Sequence, residues 1–218
     1  MTRENSHLCE LCETRRARRA CPGIRGQICS VCCGTEREVT VSCPLECPHL
    51  EEARRFEKLP PPGEDRQPTP EVELTEQFLD RNSALIGLAA DTIARIALEV
   101  PGIVDSDVRD ALDSLVRTYR TLETGLYYES LPANPLAGTI HRAVRQQLEE
   151  RRRQIRQSHG MTPYRDADIL GALVFLQRLH HISHNGRPRG RAFIHQLVRD
   201  WQRRREAARE RSQGIILP

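Results

Sequence analysis

The chain has 218 residues, 38% of them hydrophobic and only 4% aromatic, and its 33 basic and 30 acidic side chains leave a net charge of +3. No run of eighteen consecutive apolar residues occurs, which excludes an ordinary membrane-spanning helix. All eight cysteines lie between Cys9 and Cys47, so the chain is not one uniform domain but a thiol-rich first quarter followed by a cysteine-free remainder.

In the first part, residues 1–58, the stretch from Met1 to Cys47 carries few large apolar side chains (Leu8, Leu11, Ile24, Ile28, Val31, Val39, Val41, Leu45). Burying these cannot offset the entropy of ordering some fifty residues, so cross-links are needed. The start, MTRENSHLCE, has no apolar run after its charges, so no secretory signal is visible and a reducing, cytoplasmic setting is expected. There the thiols remain free for metal. Disulfide stapling, redox chemistry at a C-x2-C and an iron–sulfur cluster are the alternatives.

Cys9 and Cys12 form one C-x2-C knuckle and Cys29 and Cys32 a second, with sixteen residues between them. Two knuckles complete a tetrahedral four-thiolate zinc shell, and a saturated shell leaves no open position for catalysis. Cys21, Cys33, Cys43 and Cys47 remain for a second ion, with His49 and His7 as substitutes. The partition is open. An interleaved arrangement would place Cys9, Cys12, Cys32 and Cys33 on one ion and Cys21, Cys29, Cys43 and Cys47 on the other, although adjacency strains Cys32 and Cys33 at a shared ion.

The run Cys9-x2-Cys12, Cys21-Pro22, Cys29-Ser30, Cys33 and Cys43 resembles the HIT and MYND families of cross-braced zinc fingers over residues 9–49. The resemblance implies a protein-interaction module holding two zinc ions. Gly23, Ile24 and Arg25 stand where those families place a further thiol, and Arg37 stands about where a histidine ligand falls. Cys47 and His49 are the candidates to replace them.

Residues 51–58 (EEARRFEK) predict a short charged helix leaving the module. Residues 59–70 (LPPPGEDRQPTP) contain five prolines and predict an extended linker. Residues 71–213 then predict an all-α bundle of about five helices, with 214–218 as a tail. Thr69 and Pro70 open the first helix, with Leu79, Ile86, Ala90, Ile93 and Ala97 on one face and Pro101-Gly102 as its stop. The second starts near Ser106 and repeats Val108, Leu112, Leu115, Tyr119, Leu122 and Leu126 at spacings of four and three. Asn134-Pro135 opens the third, with Leu136, Ile140, Val144, Leu148 and Ile155, which ends at His159-Gly160. Thr162-Pro163 opens the fourth, whose middle (Ile169, Leu170, Leu173, Val174, Phe175, Leu176) is apolar on most sides and therefore central to the bundle; Asn185-Gly186 stops it. Ile194, Leu197, Val198 and Trp201 mark the fifth.

Charge is uneven: residues 71–135 sum to −7 and residues 136–218 to +10, all of the latter's positive charge being arginine. Arg15, Arg16, Arg18 and Arg19, then Arg151, Arg152, Arg153 and Arg156, then Arg187, Arg189, Arg191 and Arg203 to Arg205 form three groups that could face phosphates. His180 and His184 are four apart and could chelate an ion with His195 or Asp168, or, as cations, complement a helix C-terminus. Asp166 and Asp168 fall in a first helical turn, where they stabilise the N-terminus rather than form a catalytic pair. The expected function is a non-enzymatic, cytoplasmic, zinc-binding interaction or adaptor protein with a protein partner and no small-molecule substrate. A nucleic-acid-binding regulator using the arginine-rich half is the alternative, and a helical metalloenzyme with a His180/His184 site comes third.

Overall fold

A computed structural model describes residues 8–57, 67–159 and 164–213. The chain forms two compact units: Met1–Pro60 together with Asn185–Arg191, and Pro61–His184 together with Ala192–Pro218.

The first unit carries an antiparallel hairpin of two short strands, β1 (Arg19–Cys21) and β2 (Gly26–Ile28), in which Arg19 pairs with Ile28 and Cys21 with Gly26. Period-two alternation over three residues is too short to see in sequence, so these strands are an addition to the all-α expectation. Two short helices follow, α1 (Ser30–Thr35) and α2 (Pro48–Arg54). The expected helix over 51–58 therefore starts and ends earlier, because Pro48 supplies a first-turn φ that needs no N–H donor. The unit's core consists of Cys9, Cys21, Ile28, Cys29, Cys32, Val41, Cys43, Cys47 and Leu50. Six of these nine are thiols, so aliphatic burial contributes little here.

The second unit is the bundle: α3 (Glu76–Glu99), α4 (Asp105–Glu123), α5 (Pro135–His159), α6 (Asp166–Ser183) and α7 (Ala192–Gln213). α6 packs on α3 and α4, α5 on α3 and α4, and α7 mainly on α3. Ile169, Leu170, Leu173, Val174 and Leu176 are all buried, which makes α6 the central helix that its all-round apolar sequence predicts.

Two boundaries depart from expectation. Helix α3 begins after Thr75, whose hydroxyl accepts from Phe78 N, rather than at Thr69. Thr69 has φ +52 and donates its hydroxyl to Gln177 Oε1, while the Arg178 guanidinium binds the carbonyls of Pro68, Thr69 and Val72. These tertiary bonds use up the backbone acceptors that a helix would need. Helix α4 stops at Glu123, and Leu126 is exposed beyond it. The N-cap expected at Thr162-Pro163, and most of the linker expected over 59–70, lie outside the described residues; α6 itself opens with Asp168 accepting from Arg165 N at 2.8 Å.

Three buried carboxylates of the bundle, Asp105, Asp107 and Asp168, act as helix caps. Asp107 accepts from Val104 N at 2.8 Å and closes the first turn of α4. Asp105 is buried, and its two carboxylate oxygens accept from Phe193 N and Ile194 N, both at 3.1 Å. The first residue of α4 thereby caps the N-terminus of α7.

Candidate metal centre

The first knuckle is a tight turn in which Cys9 N donates to Arg15 O at 2.8 Å and Glu13 N to Cys9 O at 2.7 Å, with Glu13 at φ +52. Gln27 N donates to Glu10 Oε1 at 2.7 Å and Glu10 N to Gln27 O at 3.0 Å, which ties this turn to strand β2. The second knuckle is the start of α1. Cys29 is its N-cap, and the Cys29 thiol accepts from Cys32 N at 3.3 Å.

The ligand atoms of Cys9, Cys12, Cys29 and Cys32 all lie within 4.8 Å of one another, and among the described residues this is the one such group of His, Cys, Asp or Glu. These four thiols form one cluster at metal-binding distance. Four sulfurs at tetrahedral corners with Zn–S bonds of about 2.3 Å stand about 3.8 Å apart, so a small contraction accommodates an ion. All eight cysteines are free thiols.

Local hydrogen bonds favour the thiolate at two of the four positions. The hydroxyl and N–H of Thr14 and the N–H of Arg15 bond the Cys12 thiol and lower its pKa to about 5. A hydrogen bond from Cys32 N likewise lowers Cys29. Burial pushes Cys32 up to about 12, and its hydrogen bonds to the neighbouring thiols act in the same direction. The Arg15 guanidinium lies beside Cys29 and Cys12, which raise its pKa.

This grouping corrects the interleaved partition, which puts Cys33 with Cys9, Cys12 and Cys32 and assigns Cys29 to the other ion. Cys32 and Cys33 are successive residues of α1, and a turn of 3.6 residues sends them about 100° apart. Cys33 therefore lies outside the four-sulfur group, and its sulfur accepts from Arg19 Nη1 at 3.3 Å and Arg37 Nη2 at 3.8 Å. A small cavity there is lined by Cys21, Cys33, Cys43, Cys47 and His49. At the position where the resemblance places a histidine ligand, Arg37 acts as a donor to a thiol instead. His7 lies outside the described residues.

The histidines of α6 form no comparable site. The His180 and His184 rings stack at 5.2 Å with 16° between their planes, so they do not aim at a common point. His180 Nε2 donates to Asp105 O at 2.9 Å, and burial lowers its pKa to about 4. It is therefore neutral at pH 7, which corrects the expectation of a cationic His180 at the helix C-terminus. Asp166 pairs with Arg152 at 2.9 Å and Asp168 caps α6. Sequence reasoning missed Asp105, Asp107 and the fully buried His141, whose two ring nitrogens have no hydrogen-bond partner among the described residues. None of the three lies in a motif; only tertiary packing marks them.

Comparison with known protein families, with curated proteins and with solved structures finds no match to this chain. The likeness to HIT and MYND fingers accordingly rests on the cysteine spacing alone, while the four-cysteine cluster is consistent with a zinc-finger-like module. Among the described residues, no helix is long and apolar enough to cross a membrane.

Proposed function

We propose that the N-terminal unit is a structural zinc module holding two ions, and that the protein acts as a non-enzymatic interaction or adaptor protein. The observation that carries the metal reading is the convergence of the four sulfurs of Cys9, Cys12, Cys29 and Cys32 to within 4.8 Å of one another, with a backbone N–H already directed at Cys29. The second ion would be held by Cys21, Cys33, Cys43 and Cys47, which line one cavity with His49 as the alternative fourth ligand. Arg19 and Arg37 beside Cys33 would offset part of the charge of that thiolate shell. Four-sulfur shells leave no place for substrate, which supports a structural rather than catalytic role.

The adaptor reading is favoured over nucleic-acid binding because many of the arginines have intramolecular partners. Arg152 bonds Glu149 and Asp166, Arg153 bonds Glu150, Arg203 bonds Asp200, Arg204 bonds Asp91, and Arg205 lies 4.7 Å over the Trp201 ring.

Native mass spectrometry of the purified full chain, with elemental analysis, tests the metal reading. Two zinc ions per chain are expected, with one lost in Cys12→Ser and the other in Cys43→Ser. A metal-free chain that keeps its N-terminal fold refutes the module; a single ion unaffected by Cys43→Ser refutes the second site. Retention on a phosphate matrix at low salt that is abolished by replacing Arg151, Arg152 and Arg153 would favour the nucleic-acid reading instead.

A further inference from the structure

The seven residues Asn185–Arg191 make up all but the first residue of the connection from α6 to α7, yet they belong to the cysteine-rich unit. Their receiving surface is the loop 36–43, which runs from α1 to Cys43. At its centre is Glu38, fully buried and held at φ +53. One Glu38 carboxylate oxygen accepts from Asn185 Nδ2 at 2.8 Å, and the other from Arg191 N at 3.0 Å and Arg54 Nη2 at 2.9 Å. The Glu38 carbonyl accepts from Arg189 N at 2.9 Å. Around this centre, Arg187 Nη1 donates to Arg37 O at 2.6 Å and Arg189 Nη1 to Ser42 Oγ at 2.8 Å.

The segment is shaped for this contact. Asn185 Oδ1 accepts from Arg187 N at 3.2 Å, which turns its Nδ2 toward Glu38. Gly190 N donates to Arg187 O at 2.9 Å, and a Cβ at Gly190 would collide with Asn185 Oδ1 and stand 3.0 Å from Arg187 O.

The loop itself has little of its own to hold it. Val39, Thr40 and Val41 all donate to the single carbonyl of Glu36, and Val41 is its only buried aliphatic side chain. It is anchored at one end by Cys32 and Cys33 on α1 and at the other by Cys43, beside which the Glu38 backbone lies. Glu38 thus sits in the short stretch of chain between candidate metal ligands and holds the 185–191 segment through its carboxylate and carbonyl.

We propose that metal occupancy of the cysteine module controls the docking of Asn185–Arg191, with Glu38 as the positioning residue that couples the two. This deepens, and rests on, the metal-module reading. With metal bound, the thiols hold the loop 36–43 closed and the segment is seated. When metal is lost, the loop opens, the bonds to Asn185, Arg187, Arg189 and Arg191 are released together, and the α6–α7 connection becomes free. Coupling of this kind is reciprocal, so the seated segment also tightens metal binding.

Hydrogen exchange on the full chain, as purified and after treatment with a strong zinc chelator, tests the proposal. Chelation is expected to open residues 9–50 and 185–191 together, while α3 to α5 stay protected. In the metal-loaded Asn185→Ala/Arg187→Ala variant, 185–191 is expected to exchange faster at unchanged metal content, and zinc to pass to a competing chelator with on the order of tenfold weaker retention. If chelation opens 9–50 but leaves 185–191 protected, or if the double variant retains zinc as the parent does, the coupling is wrong and the metal module stands. If no metal is present, or if 9–50 stays protected once metal is stripped, the metal reading itself fails.

Discussion

Replacing Asp105 by Ala tests whether one carboxylate links the start of α4 to the start of α7. Asp105 is 4% exposed, and both its oxygens accept backbone N–H groups of α7. Alanine leaves these two donors, the second and third of the helix, without an acceptor. Each such loss costs about 1–3 kcal/mol when the donor stays dry, and a lost N-cap alone costs about 1 kcal/mol. Because the opened first turn admits some water, the net cost should be about 3 kcal/mol. Urea unfolding followed by circular dichroism at about 222 nm on the metal-loaded chain measures it. Asp105→Asn keeps one oxygen acceptor and should fall about midway. The His180 bond is to the Asp105 backbone carbonyl, so neither variant removes it. A cost below about 1 kcal/mol for Asp105→Ala, or equal costs for Ala and Asn, would refute the double-cap reasoning.

Acid should weaken the bundle through His180. Its folded pKa, lowered from 6.5 to about 4 mainly by burial, means the unfolded chain binds the proton more readily, so this contribution is complete above pH 6.5 and is lost as pH falls toward 4. The loss is about 3 kcal/mol, and His180→Gln, measured by urea unfolding at about pH 7.5 and about pH 4.5, should flatten that part of the slope. Arg15→Ala removes the guanidinium beside Cys29 and Cys12, and should leave metal content unchanged while speeding zinc transfer to a chelating dye by roughly tenfold. Gly171 of α6 faces the Phe78 ring, with its missing Cβ 3.0 Å from Phe78 Cε1, so Gly171→Val should cost about 2 kcal/mol by thermal unfolding. Adding Phe78→Ala should recover part of that cost; a purely additive double variant would show that the crowding is not the cause.

The clustering of eight cysteines within the first quarter, and the 3.6-residue periodicity of the rest, determined the two-part plan from the sequence alone. So did the two C-x2-C knuckles and the central place of α6, since Ile169 to Leu176 is apolar on most sides and must be buried on most sides. These features are local, carried by residues within a turn or two of each other. Tertiary structure decided what depends on distant partners. Which sulfur joins which group follows from the direction in which α1 presents Cys32 and Cys33. The start of α3 follows from Arg178, far along the chain, holding the carbonyls before it. The roles of Asp105, Glu38 and the segment Asn185–Arg191 arise because a buried carboxylate needs donors, and the chain supplies them from sites that no sequence spacing connects.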